Sequence, residues 1–296
     1  MQVEITNRVS QSFEYIECPR DAMQGIKTII PTAVKISYLS KLLELGFDVL
    51  DCGSFVNPES IPQMADTAEV IQAISGIETK TKLLVIIANE RGALRAAAYT
   101  KIAYLGFPFS ISETFQRRNT NASREEAYRR LAKIQDIALA SGKEVIAYLS
   151  MAFGNPYNDP YSIEEIIDWG MRISALGIRT ISLSDTIGSA SAEQIATIFK
   201  QISEKLPHLH IGVHLHAKAN DWQEKVHAAA ANGCKRFDGA LGGFGGCPMA
   251  KDELVGNIPT EGVLPYLMRY FGDDKVSINK IDKAQGWALS AYNGFQ

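Results

Sequence analysis

Two histidines stand two residues apart in the run His210-Ile211-Gly212-Val213-His214-Leu215-His216, where Ile211, Val213 and Leu215 alternate with them. In an extended strand, alternate side chains share a face, so the imidazoles of His214 and His216 point away from the apolar row. Residues two apart on a strand lie about 6.6 Å apart at Cα, a spacing from which two rings converge on one metal ion. The competing reading is a histidine pair hydrogen-bonded to carboxylates. Arg20-Asp21, after an early β-rich run, shifts the balance to a metal. One carboxylate, two imidazoles, a further oxygen donor and open positions suit an octahedral divalent ion, magnesium or manganese, with zinc also compatible. Arg20 is either a surface ion pair of little worth or, buried at the mouth of a site, a stabiliser of a developing oxyanion.

Further reactive residue types lie just after other β-rich runs. Asp51 leads into Ser54, Ser184-Asp185-Thr186 ends another run, and a glycine-rich stretch from Gly239 to Gly246 runs into Cys247. Successive backbone N–H groups in such a stretch can cradle an anion, and a turn without ligand is an equal alternative. A cysteine on a mobile glycine-rich loop over a metal site is a candidate acid/base or redox-sensitive thiol. Cys234, near a helix end, reads as inert packing, and His208, His210 and His227 as structural or solvated.

The elements that must position these groups alternate. Strands are predicted at 13–18, 48–52, 82–88, 108–112, 144–149, 179–184, 210–216 and 236–241. Helical patterns are predicted near 31–46, 59–76, 90–105, 122–141, 162–177, 191–206 and 218–233, with Ser123/Glu126 and Ser162/Glu165 as capping boxes. Connections long enough to cross over mean parallel pairing. No Gly-x-Gly-x-x-Gly turn follows the first strand, which disfavours a doubly wound sheet. Eight βα units in about 250 residues fit a (β/α)8 TIM barrel, whose chemistry sits at the C-terminal ends of the strands. The expectation is a single domain over residues 1–296, with residues after about 247 forming the catalytic loop and a C-terminal helical extension.

Composition excludes several classes. The chain carries 30 basic and 33 acidic residues, with no block of one sign, so it lacks the basic excess of a general nucleic-acid binder. No apolar run approaches the roughly 18 residues of a membrane span. The first residues resemble neither a signal nor a transit peptide. The four cysteines show no Cys-x-x-Cys spacing, and a reducing cytoplasm is the expected compartment.

Arg20-Asp21, Ser54-Phe55-Val56-Asn57-Pro58 with Pro62-Gln63-Met64, Ser184-Asp185-Thr186-Ile187-Gly188, His214-x-His216 and Gly242-Gly243-Phe244-Gly245-Gly246-Cys247-Pro248 together resemble 3-hydroxy-3-methylglutaryl-CoA lyase over about residues 13–268. The histidine pair and Arg-Asp are shared across the metal-dependent lyase and acyl-transferase barrels, whereas the Ser-Phe-Val segment and the Gly-Gly-Cys-Pro loop are specific to the lyase. The resemblance implies retro-Claisen cleavage of an acyl-CoA substrate, 3-hydroxy-3-methylglutaryl-CoA, to acetoacetate and acetyl-CoA, and a place in leucine degradation. It implies metal ligands Asp21, His214, His216 and Asn257, the last within Gly256-Asn257-Ile258-Pro259-Thr260-Glu261. It further implies that Arg20 stabilises the thioester enolate and that Cys247 transfers its proton, with His214 or Asp185 helping to move the hydroxyl proton and Asp51 bordering the acyl pocket. Gln24, Glu261 and Lys27 are the expected substrate contacts, Lys27 as a phosphate partner or else a solvated lysine. A homodimer is a family expectation that nothing in the pattern shows.

Four departures accompany the match. Ala22-Met23-Gln24 replaces the family's Gly-Leu-Gln after Arg-Asp, and Asp51 replaces a glutamate. Ala217-Lys218 replaces Asp-Thr after the histidine pair, and the Cys247–Asn257 loop is one residue longer. The ligands are all retained. The alternatives are a related aldolase or condensing enzyme acting on another 3-hydroxyacyl-CoA, which would lack the Gly-Gly-Cys-Pro loop, and a non-catalytic barrel that retains a metal, which would have lost Arg20, Cys247 or a ligand.

Overall fold

The computed structural model describes residues 12–218, 220–246, 255–292 and 294. Eight strands close into a barrel in sequence order: β1 (Glu14–Glu17), β2 (Val49–Ser54), β3 (Lys82–Ile86), β4 (Ile102–Ser110), β5 (Glu144–Ser150), β6 (Thr180–Asp185), β7 (His210–Leu215) and β8 (Arg236–Gly239). Every neighbouring pair is parallel, including the closing pair β8–β1, so each strand's C-terminal end opens on the same mouth. This is a (β/α)8 TIM barrel, and the helices Thr260–Phe271 and Ile278–Tyr292 follow it as an extension.

Helix starts follow local chemistry. Ser123 and Glu126 form a reciprocal capping box, and the Ser162 hydroxyl accepts from the Glu165 N–H. Two expected helices are cut short, the first, over 59–76, to Thr67–Ile74. The Ala-rich stretch assigned to a helix over 90–105 is helical only over Glu90–Ala97, and β4 starts at Ile102 rather than 108. Alanine suits a helix but does not lengthen one, and Ile102-Ala-Tyr-Leu-Gly-Phe is bulky enough to pair along both β3 and β5.

Two apolar layers result. Outward side chains of the strands pack under the helices, with Val213 and Leu215 of β7 fully buried there. Ile16, Val49, Leu84, Ile146 and Tyr148 fill the barrel itself. The interior is not wholly apolar: Arg236 and Asp238 on β8 are both 0% exposed inside it. Gly212 on β7 makes room for them, since a Cβ there would lie 2.9 Å from the aliphatic stem of Arg236.

Candidate active site

Strand alternation brings the two histidines together at the mouth. The Nε2 atoms of His214 and His216 face one another at 3.2 Å. Each ring's other nitrogen has a partner that can only accept: Asp238 Oδ2 for His214 Nδ1 at 3.2 Å, and the Val255 carbonyl for His216 Nδ1 at 3.0 Å. Both Nδ1 atoms therefore donate, and each Nε2 is left to face the other, available to a cation when its ring is neutral. Asp21 comes from the short helix Pro19–Gln24, which Pro19 starts directly after β1, so that Arg20 and Asp21 fall in its first turn and are buried against the mouth. Ligand atoms of Asp21, His214 and His216 lie within 4.8 Å of one another.

Asn257 completes the group. Its Nδ2 donates to Asp21 Oδ2 at 2.7 Å and to the Phe244 carbonyl at 2.9 Å, while its Oδ1 is buried without a partner. An orphaned carbonyl oxygen, two converging imidazole nitrogens and a carboxylate are donors that a divalent cation would satisfy together. Burial alone would raise the Asp21 carboxyl. The Arg20 guanidinium, the two histidines and the Asn257 amide outweigh it and hold the group at about 2, ionised and ready to ligate. Burial and the neighbouring His214 push His216 down to about 4, which keeps its ring neutral.

Arg20 is held on three sides. Its Nε and Nη2 donate to Asp51 Oδ2 at 3.0 and 2.5 Å, and its Nη1 donates to Asp21 Oδ1 and Gln24 Oε1 at 3.0 and 2.9 Å. Gln24 in turn donates to Asp21 Oδ1 at 2.6 Å. Asp51 sits at an irregularity in β2, where register slips between Asp51 and Gly53. Burial raises its carboxyl to about 6 against the opposing pull of Arg20.

Three expected residues lie elsewhere. Asp185 follows Ser184, which is in register with His214. Consecutive strand residues point to opposite faces, so its carboxylate leaves the barrel axis. There it accepts from the Ser189 and Ala190 N–H groups and from Lys225 Nζ at 3.1 Å, and so holds the turn after β6. Glu261 likewise has partners within the fold. Its Oε2 accepts from the Gly242 N–H and its Oε1 from Gln285, both within 2.9 Å, so it anchors the glycine-rich loop. Lys27 is exposed on the turn after the Pro19–Gln24 helix. Cys247 lies outside the described residues.

Several residues at the site escaped the sequence reading. Asp238 orients His214, and the Tyr148 ring stands edge-on to His214 at 5.9 Å with its hydroxyl buried and unpartnered. Lys225, 3% exposed, donates to the carbonyls of Gly188 and His216 as well as to Asp185, so one ammonium ties β6, its turn and β7 together. On its helix it reads as an ordinary solvated lysine, and no local signal marks it. Arg236-x-Asp238, by contrast, places two charges on one face of a short strand, which was a readable sign.

Glu17 underlies the loop as well. Its Oε1 accepts from the Leu241 N–H at 2.9 Å, and its Oε2 from the Thr260 hydroxyl at 2.5 Å. Burial raises its carboxyl from 4.5 to about 8 despite those two donors, so the folded protein binds a proton there that the unfolded chain releases near 4.5. Stability from this group is therefore full below about pH 4.5 and lost as pH rises through about 8, with a slope of up to about −1.4 kcal/mol per pH unit between. Urea titrations from pH 5 to 8.5 should show a steeper decline in the wild type than in Glu17→Gln, the raised Asp51 carboxyl contributing to both below about pH 6. Parallel profiles for the two proteins would refute the assignment.

Comparison with known proteins places this geometry in context. The HMGL-like family model matches residues 17–285. A cytoplasmic 3-hydroxy-3-methylglutaryl-CoA lyase of Rattus norvegicus is 31% identical over 278 residues, 93% of this chain and 79% of the relative. A hydroxymethylglutaryl-CoA lyase of Bacillus subtilis is 30% identical over 91% of this chain and 89% of its own length. The solved structure of the Bacillus subtilis HMG-CoA lyase superposes with a TM-score of 0.90 at 29% identity, covering 97% of this chain and 96% of that one. An HMG-CoA lyase from Acinetobacter baumannii, solved with coenzyme A and 3-methylmalate, superposes with a TM-score of 0.87 at 28% identity over 96% of this chain and 92% of that one.

Proposed function

Because the chain belongs to the HMGL-like family, we propose that it is a metal-dependent carbon–carbon lyase that cleaves 3-hydroxy-3-methylglutaryl-CoA to acetoacetate and acetyl-CoA. The observation that carries the metal is the pair of opposed Nε2 atoms at 3.2 Å beside the orphaned Asn257 Oδ1. Asp21, His214, His216 and Asn257 would hold the ion, magnesium or manganese by the mixed oxygen and imidazole donor set. Bound there, it would supply Lewis acidity to the oxygens of the substrate's hydroxyl and carboxyl end.

The chain's own residues supply the rest. Cleavage breaks the bond between the thioester α-carbon and the carbinol carbon, so the hydroxyl loses a proton and the thioester becomes an enolate that must regain one on carbon. Arg20, kept from rotating by Asp51, Asp21 and Gln24, offers a fixed positive charge to the enolate oxygen. Asp51, at about 6, has a proton affinity suited to accepting the hydroxyl proton near neutrality. His214, with Nδ1 on Asp238 and Nε2 turned to the metal position, is assigned to coordination instead of proton transfer. Cys247 is the donor to carbon. Lys27, exposed beside the helix that carries Arg20, is available to the phosphates of the coenzyme A portion. No helix among the described residues is long and apolar enough to cross a membrane.

The test is product analysis. Purified protein treated with chelator and then with magnesium or manganese should release acetoacetate and acetyl-CoA in equal amounts from the hydroxymethylglutaryl thioester only after metal is restored. Absence of cleavage with either ion would overturn the assignment, and equal rates with and without metal would overturn the metal's part in it.

A further inference from the structure

Arg236 has no part in the mechanism above, yet it is among the largest fully buried side chains in the protein. A buried arginine in a barrel interior is costly, and well-packed apolar residues of similar volume are often neutral or stabilising replacements. Its Nη1 donates to Asp238 Oδ1 at 2.9 Å, and its Nε lies 3.2 Å from Glu14 Oε2 on β1. Asp238 spends its other oxygen, Oδ2, on His214 Nδ1. Glu14, Arg236, Asp238 and His214 thus form one line of charge through the barrel, ending at the Nε2 that faces His216.

We propose that Arg236 is a positioning residue for the metal centre, fixing the tautomer and ring orientation of His214 through Asp238. The inference rests on the metal site assigned above. By occupying Oδ1, the guanidinium leaves Oδ2 as the acceptor in front of the imidazole. A carboxylate oxygen in that position selects the Nδ1–H tautomer, and Nε2 is left with the lone pair a cation needs. Without Arg236 the carboxylate is free to turn within the space its stem vacates, and the ring loses its fixed partner. Gly212, which a Cβ would push into that stem, is what lets the arginine stand beside β7.

The experiment reads the tautomer first, in metal-free protein. With 15N-labelled histidine the chain gives signals from only five rings, and His214→Gln identifies the one in question. The wild type should show His214 as the Nδ1–H tautomer, Arg236→Met a mixture, and Arg236→Lys, which keeps a cation beside Asp238, a return toward the wild type. Manganese affinity, measured by titration in the same proteins, should fall by about 10- to 100-fold in Arg236→Met and recover in Arg236→Lys. Should Arg236→Met not fold, the double variant Arg236→Met/Glu14→Gln, which removes the other carboxylate beside the arginine and keeps Asp238 in front of His214, takes its place. The mixed tautomer and weakened binding should persist in it. An unchanged tautomer with manganese affinity within about threefold of the wild type would overturn the proposal and leave Arg236 an interior ion pair. A wild type that binds no manganese would overturn the metal site itself, and the tautomer comparison would still decide what Arg236 does to His214.

Discussion

Arg20→Met is expected to lower turnover at saturating substrate by about 10²–10³, the scale of losing one donor to a developing oxyanion. The side chain keeps roughly its length and loses its charge. What makes the effect large is how completely Arg20 is held: three nitrogens engage Asp51, Asp21 and Gln24, and only 8% of the residue is exposed. A donor fixed in this way spends nothing on reorganisation when charge develops. The substitution also strands two buried carboxylates, so melting has to be followed alongside rate. Arg20→Lys separates the two effects, because a lysine keeps the charge but cannot span Asp51 and Asp21 with one planar fork. It should restore much of the stability and little of the turnover. Manganese should still bind both variants, because none of the four proposed ligands is replaced and Asp21 keeps its bonds to Gln24 and Asn257. Turnover of Arg20→Met equal to the wild type would return Arg20 to a structural ion pair.

Cys247→Ser is expected to reduce the chemical step by about 10²–10⁴, the range for removing a positioned proton donor, with manganese affinity unchanged. The other three cysteines provide the contrast. Cys18, Cys52 and Cys234 are buried, and burial pushes all three thiols up, which leaves little thiolate at neutral pH. Alkylation by a thiolate-selective reagent should therefore fall on Cys247, inactivate the protein, and be prevented by a substrate analogue plus metal. Cys234→Ser should retain turnover, as its sulfur faces the Arg236 carbonyl away from the mouth. Normal turnover by Cys247→Ser would make the thiol a packing or redox feature of its loop.

The barrel was legible because strand alternation and helical stretches follow one another cleanly, with Gly46, Gly142, Gly177 and Gly233 taking positive φ just after helices. The same alternation put His214 and His216 on one face, as the structure has them, and, applied one strand earlier, would have turned Asp185 to the opposite face. Reading Ser184-Asp185-Thr186 as a motif hid that parity. The partners of Glu261 were hidden for a different reason. Its neighbour Asn257 reaches the metal group, but four residues on, a helix has begun and the carboxylate turns back to the Gly242 N–H. Lys225 and Glu17 depend on partners more than 30 residues away in each case, Asp185 and Gly188 for one and Leu241 and Thr260 for the other. Local pattern carries no information on such pairings. The β4 boundary failed where helix-forming alanine ran into residues that tertiary pairing claimed.

The fit of Gly212 against the Arg236 stem ties the history of two strands together. A lineage carrying this arginine cannot acquire even an alanine on β7 opposite it without forcing the stem aside. A lineage that shortens the arginine first is left with a void and with Glu14 and Asp238 facing each other's charge across it. Either single change carries a cost in packing or in unbalanced charge, so the glycine and the arginine are expected to be inherited as a pair. Sequences with a bulkier residue on β7 would be those that never placed an arginine behind the histidine. Divergence within this barrel would then run along two separate tracks, distinguished by an interior pair that never touches substrate.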